Sequence, residues 1–554
     1  MHAAVPSELT PGYANRWKAL LFIGISLIVI SLDNTVLNVA LPSISRTLGA
    51  GQSELQWIVD AYILVFAALL LTMGALGDRF GRKKALQFGL VMFGLGSLAA
   101  ALSHTTGLLI ASRAFLGIGG ATIMPATLSI ISATFPPKER PQAIGIWAAI
   151  FGLGVGIGPV VGGWLLERFE WNAVFLINLP IVLVALVGGQ LFIAESKDPN
   201  APKADIPGVL LSITGLFALV YGIIEAGMHG WTEQNVLLAF GIAFVLLSAF
   251  AWWEWRNPNA MLPMHFFKNM SFTAANIALV LVTFSLMGSM FFMSQYFQSV
   301  QGVPTLEAGL RVLPTAVTLT IVAAQSARVA RRLGTKVAVA LGILIAGLAL
   351  FYMSRVFRIE TPYYLIAIGQ VLFGVGMGIA MSPATNSIMG SVPVSKAGIG
   401  SAMNDTTRQL GGALGVAVLG TIMNQSYLVG VETLRPAIEN LLANLPIPPA
   451  FAEQAQQIWP AITSSIQGAH IVANRLAEVP LVPPDVPRQI IDTANAAFMT
   501  GMNNAMLIGS LIMIGTAVLT YFILPAQVGR SEEEMRAERE ASQGASVPQA
   551  GGLD

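Results

Sequence analysis

Gly74-Ala75-Leu76-Gly77-Asp78-Arg79-Phe80-Gly81-Arg82-Lys83-Lys84 interrupts an apolar chain between its second and third long hydrophobic runs. Three glycines, four cations and one aspartate, wedged between two bilayer-length segments, are hard to explain by packing or solubility alone. The stretch reads as a hinge.

The composition around it agrees. With 55% hydrophobic and 11% charged residues and a mean hydropathy of +0.69, the chain lies far outside the soluble globular range. It reads as an all-α integral membrane protein. A helix needs about 20 apolar residues to span a bilayer, and the 554 residues divide into about fourteen such runs, from residues 17–41 to 502–525. The polar start, Met1 to Asn15, lacks the basic region, short apolar stretch and cleavage site of a signal peptide, so the first helix is expected to be retained.

Several functions are unsupported. The absence of cysteine removes disulfides, thiolate catalysis and zinc-thiolate sites. No Gly-x-x-x-x-Gly-Lys-Ser/Thr loop is present for an ATP-driven pump, and no His-Glu-x-x-His run for a metallohydrolase. The five histidines, His2, His104, His229, His265 and His470, are dispersed, so no metal site is expected. A net charge of +1 gives no hint of a nucleic-acid partner. The chain is not expected to be an enzyme.

Positive residues favour the cytoplasmic side. Arg16, Lys18, Arg79, Arg82, Lys83, Lys84, Lys138 and Arg140 fall in one alternate set of connections, together with Arg328, Arg331, Arg332 and Lys336. The opposite set is much poorer, which puts both termini in the cytoplasm and requires an even helix count.

The opening turn has a degraded echo, Ala327-Arg328-Val329-Ala330-Arg331-Arg332-Leu333-Gly334-Thr335-Lys336, between the tenth and eleventh helices. Two parallel six-helix repeats then account for twelve helices. Such repeats mark a class of secondary transporter with its site at their interface. The expected organisation is a cytoplasmic N-terminus at 1–16, a six-helix bundle at 17–194 and two inserted helices at 207–255. A second bundle at 271–525 contains an extracytoplasmic loop at 428–498, and a disordered cytoplasmic tail follows at 526–554.

Several separate motifs then carry a resemblance. They are Leu32-Asp33-Asn34-Thr35-Val36-Leu37-Asn38-Val39-Ala40-Leu41-Pro42, the turn already quoted, Arg113 with Gly117, Gly119 and Gly120, and Gly154-Val155-Gly156-Ile157-Gly158-Pro159-Val160-Val161-Gly162-Gly163. The run Asn404 to Gly412 adds a fifth. Together they resemble the major facilitator superfamily, and within it the fourteen-helix drug:proton antiporter branch of EmrB/QacA-like proteins. The resemblance covers about residues 17–425 and the last helix. It implies a major facilitator fold of two six-helix bundles plus two inserted helices.

Intramembrane charges are costly enough that each is a functional hypothesis. Asp33 lies about 12 Å below the outer end of its helix, and Asp60 and Arg113 about 9 Å below theirs. The three share a depth. Burial raises a carboxylate pKa and a nearby guanidinium lowers it, so an aspartate that alternately meets and leaves an arginine can load and release a proton. A static ion pair that fixes helix register is the alternative for Asp33, and attraction of cations to an outer vestibule the alternative for Asp60. Asn34 and Asn38 flank Asp33 as further polar candidates.

In the turn, Gly74 and Gly81 permit close approach or positive φ, and Asp78 can cap the positive end of a helix from the other half. The resemblance makes Asp78, with Arg79 and Arg82, a cytoplasmic latch against the helix start near Gly398 to Ser401. It also makes Gly154, Gly158, Pro159, Gly162 and Gly163 an antiporter motif, although small residues at this spacing are often ordinary helix contacts. Asp405 and Arg408, three apart, are expected chiefly to neutralise each other, with gating or a second protonation site as the alternative. Arg311 reads as a rim pair with Glu307. Met287, Met290, Phe291, Phe292 and Phe373 are candidates for an apolar cavity wall.

The functional expectation is a multidrug exporter, working as a monomer in the cytoplasmic membrane of a bacterium. It takes a lipophilic cationic substrate, exchanges it for protons, and needs no cofactor beyond the proton gradient. An exporter of a lipid or endogenous metabolite, or a sensor that binds without turnover, remains open on the same fold.

Overall fold

A computed structural model describes residues 12–48, 50, 52–198, 205–257, 260–444, 457–479 and 482–525. Every regular element among them is helical. A bilayer leaves no water to satisfy backbone polar groups, and a helix satisfies its own. Among the described residues, fourteen helices are long and apolar enough to cross a membrane, as the hydropathy reading expects.

The first six are α1 (Arg16–Leu48), α2 (Gln52–Phe80), α3 (Arg82–Ala101), α4 (Thr106–Thr134), α5 (Arg140–Arg168) and α6 (Ala173–Phe192). Helix α6 breaks at Ile177, just before Asn178 and Pro180, since Pro180 has no N–H to continue the ladder. Two helices follow, α7 (Ile206–His229) and α8 (Gln234–Arg256). The second half holds α9 (Met270–Gln295), α10 (Thr305–Leu333), α11 (Thr335–Val356), α12 (Tyr363–Gly390) and α13 (Ala397–Val431). Among the described residues, three short helices, α14 (Arg435–Asn444), α15 (Ile458–Ser464) and α16 (Ile466–Ala477), precede the last span, α17 (Asp485–Ile523).

The two halves repeat one packing scheme. In the first, α2 and α3 pack on α4, α1 on α5 and α6, and α3 on α6; in the second, α10 and α11 pack on α12, α9 on α13 and α17, and α11 on α17. A close glycine crossing recurs too. A Cβ at Gly89 of α3 would lie 3.0 Å from the Gly119 carbonyl of α4, and one at Gly342 of α11 would lie 2.7 Å from the Gly376 carbonyl of α12. The echoed turn is repeated in its backbone, with Gly81 at φ +124° and Gly334 at φ +80° between the second and third helices of each half.

The inserted pair is not peripheral. Helix α7 lies in the groove between α2 and α13 away from the basic turn: Leu64, Ala67 and Val220 form a small core with Trp57, Tyr221 and Leu410 packed around it, and Trp231 donates to Thr421 at 3.2 Å. Helix α8 instead presents Phe244 and Trp255 outward. Asp205 ties the two together, accepting from the Gly208 amide at 3.1 Å and the Trp253 indole at 2.8 Å.

The helices on either side of residues 428–498 extend past their apolar runs. Helix α13 runs on to Val431, and α17 begins at Asp485 rather than near residue 502. Its early turns are polar on one side and buried on the other, through Ile490, Ala494, Ala497 and Phe498, so hydropathy sees only the membrane part. Between them, α16 packs on α17, and Tyr427 of α13 donates to the Ile462 carbonyl at 2.9 Å. Residues 445–456 of this segment, the start at 1–11 and the tail at 526–554 lie outside the described residues.

The repeated crossings fix where bulk is tolerated. Gly376→Leu is expected to abolish recovery of monodisperse protein and Gly376→Ala to destabilise it by about 1–3 kcal/mol. Gly241→Ala, where an added Cβ meets nothing within 4 Å, should leave thermal unfolding in detergent unchanged.

Candidate functional site

Inside the first bundle, two buried charges find each other. Arg113 of α4 donates through Nη1 to Oδ2 of Asp33 on α1, and both residues are 2% exposed or less. The surroundings satisfy what the pair leaves over. Arg113 Nε donates to the Ile58 carbonyl of α2 at 3.1 Å, and its guanidinium lies 4.6 Å from the Tyr62 ring centroid. The second Asp33 oxygen accepts from Asn178 Nδ2 of α6 at 2.9 Å, and the same nitrogen meets Ser97 Oγ of α3 at 3.0 Å. One carboxylate thus joins five of the six helices of its bundle.

Asn178 is absent from the sequence candidates. Its only signal is an amide in the apolar run Phe175-Leu176-Ile177-Asn178-Leu179-Pro180, close to a predicted helix start where an asparagine looks ordinary. The break in α6 turns it inward. Asn34 is half-buried beside Asp33, whereas the side chain of Asn38 lies outside the described residues.

Asp60 is only two residues from Ile58, whose carbonyl Arg113 reaches, but it does not bond to this pair. It lies on the stripe of α2 that carries Trp57 and Leu64 toward α7, where it senses the charge of Glu225. Glu225 pairs with His229 at 2.8 Å and keeps only 13% of its side chain exposed. Its enclosure depends on the seating of α7 against α2, a contact between distant segments.

At the basic face the hinge stretch closes on the second half. Asp78 accepts from the amides of Gly398 at 2.9 Å and Ile399 at 3.2 Å. These are unpaired donors at the start of α13, the positive end of its dipole. Arg82 holds the carboxylate from the other side, with Nε at 2.9 Å, and reaches the carbonyls of Val394 and Ser395. Only glycines allow the helices this near: a Cβ at Gly74 would lie 2.5 Å from the Gly398 carbonyl. Gly81, with its positive φ, sits over the Glu195 carboxylate, which also accepts from the amides of Lys83 and Lys84. Arg79 lies over the Phe80 ring.

The glycines of α5 serve two partners. Gly154 faces Ser31, Gly158 faces Thr35 and Gly162 faces Val36, all on α1. Gly152, Gly156 and Gly163 face Leu319, Ala316 and Leu306 on α10, and Gly309 of α10 fits against Pro159. Helix α5 therefore joins its own bundle along one flank and the opposite bundle along the other.

Asp405 and Arg408 are not an ion pair. Asp405, 1% exposed, accepts from Asn404 at 3.0 Å through one oxygen, and its Oδ2 has no partner. Arg408 turns away, its guanidinium 4.4 Å from the Phe151 ring centroid and 5.5 Å from that of Trp147, both on α5. One helical turn sets the two residues near each other but does not decide which way a long side chain swings. Arg311 pairs with Glu307 at 2.7 Å, as a rim pair should. Of the cavity candidates, Phe292 and Phe373 are buried in the second core, whereas Phe291 is exposed.

Two repeats, a latch between them, a glycine-lined sliding interface and charges buried at mid-depth define a secondary transporter rather than an enzyme. Residues 23–416 match the Major Facilitator Superfamily, and the chain belongs to it. It is 34% identical over 504 residues to the multidrug efflux pump LfrA of Mycolicibacterium smegmatis, covering 91% of this chain and 95% of that one. Over 513 residues it is 33% identical to the methyl viologen resistance protein SmvA of Salmonella typhimurium, covering 92% and 98%. Over 518 residues it is 30% identical to the tetracenomycin C resistance and export protein of Streptomyces glaucescens, covering 92% of each. The fold is also that of the proton:xylose symporter XylE, with a TM-score of 0.58 at 13% identity over 95% of this chain and 99% of that one.

The latch can be tested without background labelling, because the chain has no cysteine. A cysteine placed at Ser401, which is 0% exposed beside the latch, should react slowly with a maleimide. Adding Asp78→Asn should speed labelling about tenfold, the loss of one charge-assisted hydrogen bond; equal rates would mean that Asp78 holds nothing shut.

Proposed function

We propose that this chain is a proton-coupled exporter that removes lipophilic, cationic compounds from the cytoplasm of a bacterium. The observation that carries the reading is the Asp33–Arg113 pair, a proton-binding group and a fixed cation enclosed within one bundle of a two-bundle transporter. Relatives named for multidrug efflux and for methyl viologen resistance support the substrate class. The excess of Lys and Arg on one face supports cytoplasmic termini in the inner membrane. On that assignment the latch closes the cytoplasmic side, so the described state opens outward.

The cycle follows from the contacts. A proton arriving from outside neutralises Asp33 and breaks its pair with Arg113. Arg113 keeps the Ile58 carbonyl and the Tyr62 face, so its charge is not abandoned in a dry site. The relaxed α1–α4 contact favours closure on the outside and release of the latch inside. Loss of the proton to the cytoplasm restores the pair and readies the site for a cation. One proton moving down about 180 mV supplies roughly 4 kcal/mol, enough for about a thousandfold substrate gradient.

Inverted vesicles carrying the protein should lose a preformed pH gradient when lipophilic cations are added. Asp33→Asn should abolish that response and Asp33→Glu should retain part of it. If folded wild type responds to no cation in a panel, a lipid or metabolite substrate replaces the drug reading; if folded Asp33→Asn still couples, the proton travels elsewhere.

A further inference from the structure

Trp147 and Phe151 lie one turn apart on α5, their rings nearly parallel with centroids 6.3 Å apart. Trp147 is fixed by the Thr127 hydroxyl, which accepts from its indole N–H at 3.0 Å, and is 1% exposed. Against these faces rests a cation from the other bundle, Arg408. Phe151 and Arg408 are each eleven residues from the basic end of their helix, about 16 Å along the axis, close to the middle of a bilayer core about 30 Å thick. An aromatic face in a dry site attracts a soft cation through the ring quadrupole, and the site of two-repeat carriers lies at this depth between the halves.

We infer that the Trp147–Phe151 pair is the cation-recognition surface of the transport site, and that Arg408 is a tethered substitute which a substrate cation displaces. This rests on the export reading above and deepens it. The displaced guanidinium has a destination: Asp405 Oδ2, one turn away on the same helix, is buried with no partner. Binding of substrate on α5 thereby forms an ion pair on α13, the helix whose first amides hold Asp78. Recognition and latch meet on one element. The favoured ligands are organic cations with spread or shielded charge, such as quaternary ammonium, phosphonium or bipyridinium ions, over small hydrated amines.

The test measures equilibrium binding of radiolabelled tetraphenylphosphonium to the purified full-length protein in lipid nanodiscs. Arg408→Gln removes the internal competitor and should tighten binding about tenfold, whereas Phe151→Leu should weaken it by a similar factor. Arg408→Lys should stay near wild type. An arginine that only supports packing predicts unchanged or weaker binding in Arg408→Gln, so that variant decides the matter even if Phe151→Leu does not fold. If wild type binds and exports the cation while Arg408→Gln and Phe151→Leu bind it equally well, the aromatic assignment falls and the export reading stands. Binding by Arg408→Gln alone, without export by wild type, keeps the assignment and removes export of that cation. Binding by no variant overturns both.

Discussion

At the basic face the two halves are bonded through the Asp78 carboxylate and two backbone amides, with Arg82 reaching across beside them. Helices in hydrocarbon gain little from burying apolar surface against each other, because lipid is equally apolar. What holds the bundles together must be close backbone contact or polar bonds. The α5–α10 seam uses the first, with glycines that remove steric resistance along its length. The Asp78 latch uses the second, and it is reversible, since the amides at the start of α13 can turn to water when the carboxylate leaves. Such a pairing joins a surface that can slide to a bolt that can open.

Polarity is divided unequally between the bundles. The first concentrates it in a single network that links Asp33, Arg113, Asn178 and Ser97, with only the Asn178 side-chain oxygen of these four left over. The second spreads it along α13, where Asn404 accepts from Thr385 and Thr407 donates to Asn276, and leaves Asp405 and Ser401 with unpartnered oxygens.

Much of this was legible because charge in an apolar run is conspicuous. Asp33, Arg113 and the stretch from Gly74 to Lys84 stand out for that reason alone. What stayed hidden depends on helix rotation and on contacts between distant segments. A rotation of about 100° per residue decides whether Asp60 faces Arg113 or α7, and no local feature of α2 states it. Asn178 was concealed by a helix break, and the partners of Arg408 by aromatics that look the same in lipid as in a site. The start of α17 was missed because its amphipathic turns extend beyond the apolar run.

Helix α7 touches α2 through Trp57, Leu64 and Ala67, and α13 through Leu410 and Ala417. Any rocking that separates α2 from α13 must strip α7 from one of them or stretch its grip on both. The insertion is therefore a mechanical load carried through every stroke, and it walls off one of the two lateral seams by which a membrane-dissolved molecule would reach the interior.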